Sequence, residues 1–280
     1  MASEPRAGEH RRLAVLGSPI AHSKSPALHR AAYERLGLEW EYTAIELDGA
    51  GLPDFLATRD ASWRGLSLTM PLKQDVLPLL DEVDELAALT HAANTVLLAD
   101  GVRRGFNTDV GGIVRALGEA GCARIRHGVL VGGGATAASA LAAMAELGAA
   151  TVQVLLRRPE AGRPIVELGA RLGLAVEIRA MGDLATLDDV DLVVSTLPGG
   201  ADPGVEASTA LRRAMLFDVA YAPWPTRLAT QWQDAAGTVV SGLGMLLHQA
   251  LLQVRIFTSG DPFQELPDEA AVLDVMRRSL

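Results

Sequence analysis

Short apolar runs alternate along the chain with longer stretches whose hydrophobic positions recur at helical spacing. Residues 13–16 form a compact apolar run and predict a strand. Ser25-Pro26 has the form of a helix start, with serine as N-cap and proline at the first helical position. That helix would turn Leu28, Ala31, Ala32 and Leu36 inward and stop at Gly37. Further strands are predicted at 42–47, 66–69 and 95–98, with helical stretches between them that include 76–88.

A second rhythm begins near residue 128. Strands are predicted at 128–131, 151–156, 174–178, 190–196, 215–219 and 238–241, with helices at 135–147 and 161–172. Strands this uniformly apolar, separated by helices, call for a parallel sheet covered on both faces. From Leu243 onward the pattern is helical, Leu246, Leu247, Ala250, Leu251 and Val254 sharing its face, and residues 268–280 repeat that character. The expected class is therefore α/β with two domains.

Composition narrows the function classes. Of 280 residues 49% are hydrophobic and 21% charged, a mixture that folds and is not that of a disordered chain. Lys and Arg number 25 against 34 Asp and Glu, and a net charge of −9 argues against a general nucleic-acid binder. A single cysteine, Cys122, allows neither an internal disulfide nor a multi-cysteine metal site, so a reducing cytoplasm is expected and no metal. The first twelve residues are polar, contain Glu4 and Glu9, and read as a loose tail and not as a signal peptide. Residues 128–145 carry no charge, yet three consecutive glycines with Thr136 and Ser139 suit a strand, a turn and a small-residue helix better than a membrane span.

That same stretch holds the clearest general motif. Gly132, Gly133, Gly134, Ala135, Thr136 and Ala137 read as G-x-G-x-x-A between a predicted strand and a predicted helix. In that setting the first glycine makes a tight turn, the second admits a pyrophosphate, and the small third residue lets helix and strand approach. The next strand runs into Arg157 and Arg158 where an NAD site would carry an acid. Two guanidiniums there suit a 2′-phosphate and favour NADP (NADPH), with Glu160 as a competitor on the same turn.

Four further segments stand in order: G-S-P-I-A-H-S-K-S-P from Gly17 to Pro26, S-L-T-M-P-L-K from Ser67 to Lys73, A-N-T from Ala93 to Thr95, and N-T-D from Asn107 to Asp109. Together with G-L-G-M-L-L-H-Q-A from Gly242 to Ala250, this set closely resembles the shikimate dehydrogenase family over nearly the whole chain. The resemblance implies a substrate domain from residues 1–109 plus 241–280, to which the C-terminal helices return. It implies a Rossmann-type doubly wound NADP-binding domain at 110–240. The implied reaction is the reversible reduction of 3-dehydroshikimate to shikimate in aromatic amino-acid biosynthesis, on the route to chorismate.

Matched position by position, Ser23 and Ser25 correspond to the family's carboxylate-binding hydroxyls, and Lys73 and Asp109 to its catalytic pair. Thr69, Asn94, Tyr221 and Gln249 correspond to substrate contacts. Thr196 and Met245 join the glycine turn and the two arginines on the cofactor side. This chain departs from the family pattern at Ser67, where asparagine is common, at Ala138, where arginine is usual, and at Arg157-Arg158-Pro159.

The chemistry fits these residue types. Hydride addition to a ketone leaves negative charge on oxygen, and a positioned lysine supplies both field and proton. Asp109 can orient the ammonium and hold a neighbouring hydroxyl. His22 and His248 read as structural. Two alternatives stay open at this level: a quinate or dual-specificity relative using NAD, and a non-catalytic metabolite sensor on the same scaffold. The partner is expected to be a small molecule, with no nucleic acid or membrane involved, and the chain a monomer or homodimer.

Overall fold

The computed structural model describes residues 10–280, so most of the polar segment read as a tail lies outside the described residues. The chain divides into two compact units, one running through Thr108 and resuming at Leu246–Leu280, the other Asp109–Met245.

In the first unit the elements run in the order β1 (Arg11–Gly17), α1 (Ser25–Leu36), β2 (Trp40–Glu46), α2 (Leu52–Ala57), β3 (Trp63–Leu68), α3 (Leu72–Asp75), β4 (Glu82–Val83), α4 (Glu85–Thr90), β5 (Thr95–Ala99) and β6 (Val102–Phe106). Their strands form one mixed sheet in the order β2-β1-β3-β5-β6-β4. β1 lies parallel to β2 and β3, whereas β5 runs antiparallel to both β3 and β6. The apolar run of β1 serves two cores. Leu13 and Val15 belong to one cluster, with Leu28 and Tyr33 of α1, while Ala14 and Leu16 belong to another, with Leu52, Leu66 and Leu68. Alternation across a strand buried on both faces explains why no polar position interrupts it.

Two local expectations are corrected. Ser25 is not the N-cap of α1 but its first residue; the helix comes after Lys24, and the Ser25 N–H donates instead to Ser23 Oγ at 3.3 Å. Gly37 does end α1, in the left-handed region at φ 69°. The helix expected over 76–88 is broken. Pro78 lies in a short 3-10 turn, Leu77–Leu79, and a new helix starts only after Asp84, whose carboxylate accepts from Ala87 N at 2.7 Å. Strand β6 has no counterpart among the predicted strands because Arg103 and Arg104 interrupt its apolar pattern; their guanidiniums pair with Asp81 and Glu82.

In the second unit come α5 (Asp109–Glu119), β7 (His127–Val131), α6 (Ala135–Glu146), β8 (Thr151–Leu156), α7 (Arg163–Arg171), β9 (Ala175–Ala180), β10 (Leu192–Ser195), β11 (Met215–Asp218), α8 (Arg227–Asp234) and β12 (Val239–Ser241). The sheet order is β12-β11-β10-β7-β8-β9 and every pairing is parallel. Chain order thus reverses between β7 and β10. This is the doubly wound arrangement, and its ligand position is the crevice outside the strand ends at that reversal.

The chain closes with α9 (Leu243–Ser259) and α10 (Glu269–Arg278). Leu247, Leu251, Val254 and Phe257 of α9 complete the core over β1 and α1. Arg64 secures the far end of α9 by donating to Phe257 O at 2.7 Å. Among the described residues no helix is long and apolar enough to cross a membrane.

Candidate active site

The polar site of the first unit is built on the ends of β1 and β3. Thr69 N donates to Leu16 O at 2.9 Å, and Ser18 N donates to Met70 O at 3.0 Å, so the two strands are laced together as they finish. Gly17 permits this approach, because a Cβ there would run into Thr69 Cγ2 and Met70 O. Thr69 is left half-buried, and Lys73, one turn later in α3, is half-buried as well.

The segment carrying Asn94 is tied to the same place. Ala93 N donates to Lys73 O at 2.8 Å and Leu68 N to Asn94 O at 2.7 Å. The Asn94 amide donates to Thr108 Oγ1 at 2.9 Å and to Gln249 Oε1 at 3.2 Å, bringing three separated motifs together. Backbone groups fix how these amides face. Thr108 N–H can only donate, and it meets Asn94 Oδ1 at 2.9 Å; Leu246 O can only accept, and it meets Gln249 Nε2 at 2.9 Å.

The remaining motif residues lie at the element ends. Ser23 is half-buried just before α1, Ser25 is buried at its start, and His22 is exposed. Asp109 opens α5 and is buried; Tyr221, after β11, is half-buried, and burial pushes its phenol up. Met245 and His248 are buried on α9.

Ser67, from the second motif, belongs to a group with three residues that the motifs do not single out. His29, Tyr42, Ser67 and Gln253 are all buried, and a chain of hydrogen bonds runs from Tyr42 to Ser67, from Ser67 to Gln253 and from Gln253 to His29. Ser67 Oγ receives the Tyr42 hydroxyl at 2.6 Å and donates to Gln253 Oε1 at 2.8 Å, so it is engaged inside the protein. A helical wheel of α9 would have placed Gln253 one turn beyond Gln249 on the same face, the available sequence signal.

In the second unit the glycine turn stands at the sheet's reversal. Gly132 comes directly after β7 at φ 110°, and a Cβ there would meet Thr196 Oγ1, whose hydroxyl donates to Val131 O at 3.0 Å. Only glycine suits both constraints. Gly133 and Gly134 are exposed, Ala135 and Thr136 partly so, while Ala137 packs fully. Gly134 precedes α6 with no side-chain cap, so the N-terminal end of a twelve-residue helix opens directly on the glycine turn, where its dipole favours an anion. Beyond β8, Arg157 and Arg158 are exposed, with no side-chain partner among the described residues. These features fit a phosphorylated dinucleotide. Among the described residues no group of three or more His, Cys, Asp or Glu is arranged to hold a metal ion.

A doubly wound sheet with this turn, carried in one chain with a unit of buried amides and a lysine, defines a dinucleotide-dependent oxidoreductase with a separate substrate unit. Residues 15–96 match the family model described as the shikimate dehydrogenase substrate binding domain. The shikimate dehydrogenase (NADP(+)) of Geobacter sp. strain M21 is 37% identical over 270 residues, spanning 91% of this chain and 92% of its own. The crystal structure of Mycobacterium tuberculosis shikimate dehydrogenase aligns at TM-score 0.81 and 36% identity, covering 96% of this chain and 100% of that one. The Thermus thermophilus enzyme, solved in complex with NADP(H) and shikimate, aligns at TM-score 0.80 and 32% identity with the same coverage. The chain belongs to the shikimate dehydrogenase family.

Proposed function

We propose that this protein catalyses the reversible NADP-dependent reduction of 3-dehydroshikimate to shikimate. The observation that carries the substrate side is the convergence of Lys73, Asn94 and Gln249, from three distant motifs, in one hydrogen-bonded neighbourhood.

NADPH supplies the hydride. Gly132, Gly133, Gly134, Ala135, Thr136 and Ala137 would hold its pyrophosphate, Arg157 and Arg158 its 2′-phosphate, with Thr196 and Met245 flanking it. Ser23 and Ser25 offer hydroxyl donors to the substrate carboxylate. Thr69, Asn94, Tyr221 and Gln249 hold the ring hydroxyls, and amides suit this role because one group can both donate and accept. The charged Lys73 would stabilise the negative charge as it develops on the carbonyl oxygen and complete the step by giving that oxygen its Nζ proton, leaving a neutral amine and the product hydroxyl. Asp109 accepts from the neighbouring substrate hydroxyl and favours the charged lysine. The protein would act in the cytoplasm on a small molecule, as a monomer or homodimer.

The direct test follows NADPH absorbance with purified protein, offering shikimate or quinate with NADP or NAD. Turnover of shikimate with NADP is expected to exceed every other combination. Lys73→Ala is expected to lower kcat by roughly 10²- to 10⁴-fold, the usual contribution of a positioned proton donor. Turnover with no combination would favour a metabolite sensor, and a fully active Lys73→Ala would remove the lysine from the proton step.

A further inference from the structure

Behind Asn94 and Gln249 lies a buried chain of hydrogen bonds whose direction can be followed group by group. Asn94 O is a backbone carbonyl and can only accept; the Gln253 atom 3.1 Å from it is therefore the amide nitrogen. Gln253 Oε1 consequently faces the other way, 3.1 Å from His29 Nε2 and 2.8 Å from Ser67 Oγ, and accepts from both. His29 must then carry its proton on Nε2, which leaves Nδ1 to accept from the Tyr33 hydroxyl at 3.1 Å. On the other side, Gln253 Nε2 also donates to Thr95 Oγ1 at 3.0 Å, so the Thr95 proton is directed to Asn94 Oδ1 at 2.9 Å.

Every link points the same way, from the tyrosines through His29 and Ser67 to Gln253, then through Thr95 to Asn94 and Gln249. Asn94 Oδ1 is held inward by Thr95 and by Thr108 N, which turns its amide nitrogen toward Gln249. Gln249 Oε1 is occupied by that nitrogen, and one Nε2 hydrogen goes to Leu246 O. Its second Nε2 hydrogen has no acceptor among the described residues.

We propose that Gln253, oriented by neutral His29 and by Ser67, is a positioning residue that sets the donor polarity of the Asn94–Gln249 pair, so that Gln249 presents an N–H to a substrate oxygen. The inference rests on the assignment of Asn94 and Gln249 as substrate contacts. It also gives Ser67 a role in this chain: its hydroxyl is a link in the relay. The titratable groups within this chain of bonds, His29, Tyr33 and Tyr42, are uncharged at neutral pH, and the Arg64 guanidinium beside Tyr33 is the charged neighbour. Burial holds the His29 imidazole down at about 3 and pushes the Tyr33 and Tyr42 phenols up, with the Arg64 guanidinium opposing the shift at Tyr33.

The test compares Gln253→Glu with Gln253→Leu in the intact protein, measuring KM for shikimate and for NADP across pH 6 to 9 (a range of about three units around a buried carboxyl's raised pKa). A protonated glutamic acid reproduces the amide's polarity, its carbonyl accepting from His29 and Ser67 and its hydroxyl donating toward Asn94 O. Ionised, it can only accept, and Thr95 is drawn away from Asn94. Gln253→Glu is therefore expected to show a near-normal KM for shikimate at the acid end and a rise of about tenfold at the alkaline end, the size of one or two lost hydrogen bonds. Gln253→Leu is expected to show the raised value throughout, with KM for NADP unchanged in both.

A KM for shikimate within twofold of the parent in Gln253→Leu, or a flat KM against pH in Gln253→Glu, would overturn the inference. Asn94→Ala and Gln249→Ala separate its failure from that of the assignment beneath it. If these two leave KM for shikimate unchanged, the assignment falls and the inference with it. If they raise it while Gln253→Leu does not, only the positioning role falls.

Discussion

At the scale of single residues, His29 shows how one buried group couples site geometry to solution conditions. It stacks on Tyr42 with ring centroids 4.0 Å apart and hydrogen-bonds to Gln253 and Tyr33 at both nitrogens. Its environment disfavours the imidazolium chiefly through burial, which lowers its pKa to about 3, while the bond to Gln253 opposes the shift. An unfolded chain protonates this histidine near 6.5, whereas the folded chain resists until about 3. Between those values the unfolded state holds the additional proton, so the stability His29 contributes is full above pH 6.5 and is lost as pH falls toward 3. At full slope one such group removes about 1.4 kcal/mol per pH unit. Urea unfolding at a series of pH values is expected to show this slope in the parent protein and a slope smaller by one proton in His29→Gln. Equal slopes would mean that the folded protein protonates His29 as readily as the unfolded chain does. None of this was visible in the sequence, where His29 is one histidine among six and its partner Gln253 lies more than two hundred residues away.

At the scale of elements, legibility tracked the physical origin of each segment. The strands of the doubly wound sheet could be placed to within a few residues because burial on both faces leaves them almost purely apolar, as in Val129–Val131 and Val193–Val194. The hairpin strand Val102–Phe106 could not, since charge pairing with Asp81 and Glu82 sustains it beside a half-buried face. The stretch around Pro78 looked helical by periodicity alone, and only proline chemistry and the Asp84 cap show where it breaks. The glycine turn was legible because steric demands leave no substitute: Gly132 sits at φ 110° against Thr196. The turn after β8 is a matter of charge. Arg157 and Arg158 stand exposed with no side-chain partner among the described residues, and Ala138, where the family usually carries arginine, is buried within α6. If the two arginines take over 2′-phosphate recognition, replacing both by Ala should raise KM for NADP about tenfold or more while leaving KM for NAD within about twofold, the loss of one or two charge-assisted contacts. Equal effects on the two dinucleotides would assign phosphate recognition elsewhere on the turn.

At the scale of the whole molecule, the order of segments along the chain decides which parts can fold alone. The second unit is one continuous piece, Asp109–Met245, and its core of Val129, Val131, Val193, Leu216 and Trp232 draws only on residues within it. The first unit is made from two pieces, and its core over β1 needs Leu247, Leu251, Val254 and Phe257 from after the second unit. Arg255, itself buried, pairs with Glu269 and joins α9 to the start of α10, so the returning piece enters as one packed unit. Without it, Leu13, Val15, Leu28 and Tyr33 would face water; exposing four such side chains costs on the order of 1.5–3 kcal/mol each, comparable in sum to the whole stability of a small domain. A fragment of residues 109–245 is therefore expected to fold cooperatively and to bind NADP, whereas residues 1–108 alone are expected to remain unfolded. Adding residues 246–280 as a separate peptide should restore structure to the latter, read as a concentration-dependent gain of far-ultraviolet circular dichroism. A folded 1–108 fragment would show that β1 has a sufficient core without α9. An unfolded 109–245 fragment would show that the dinucleotide unit depends on the piece from which its continuous chain separates it.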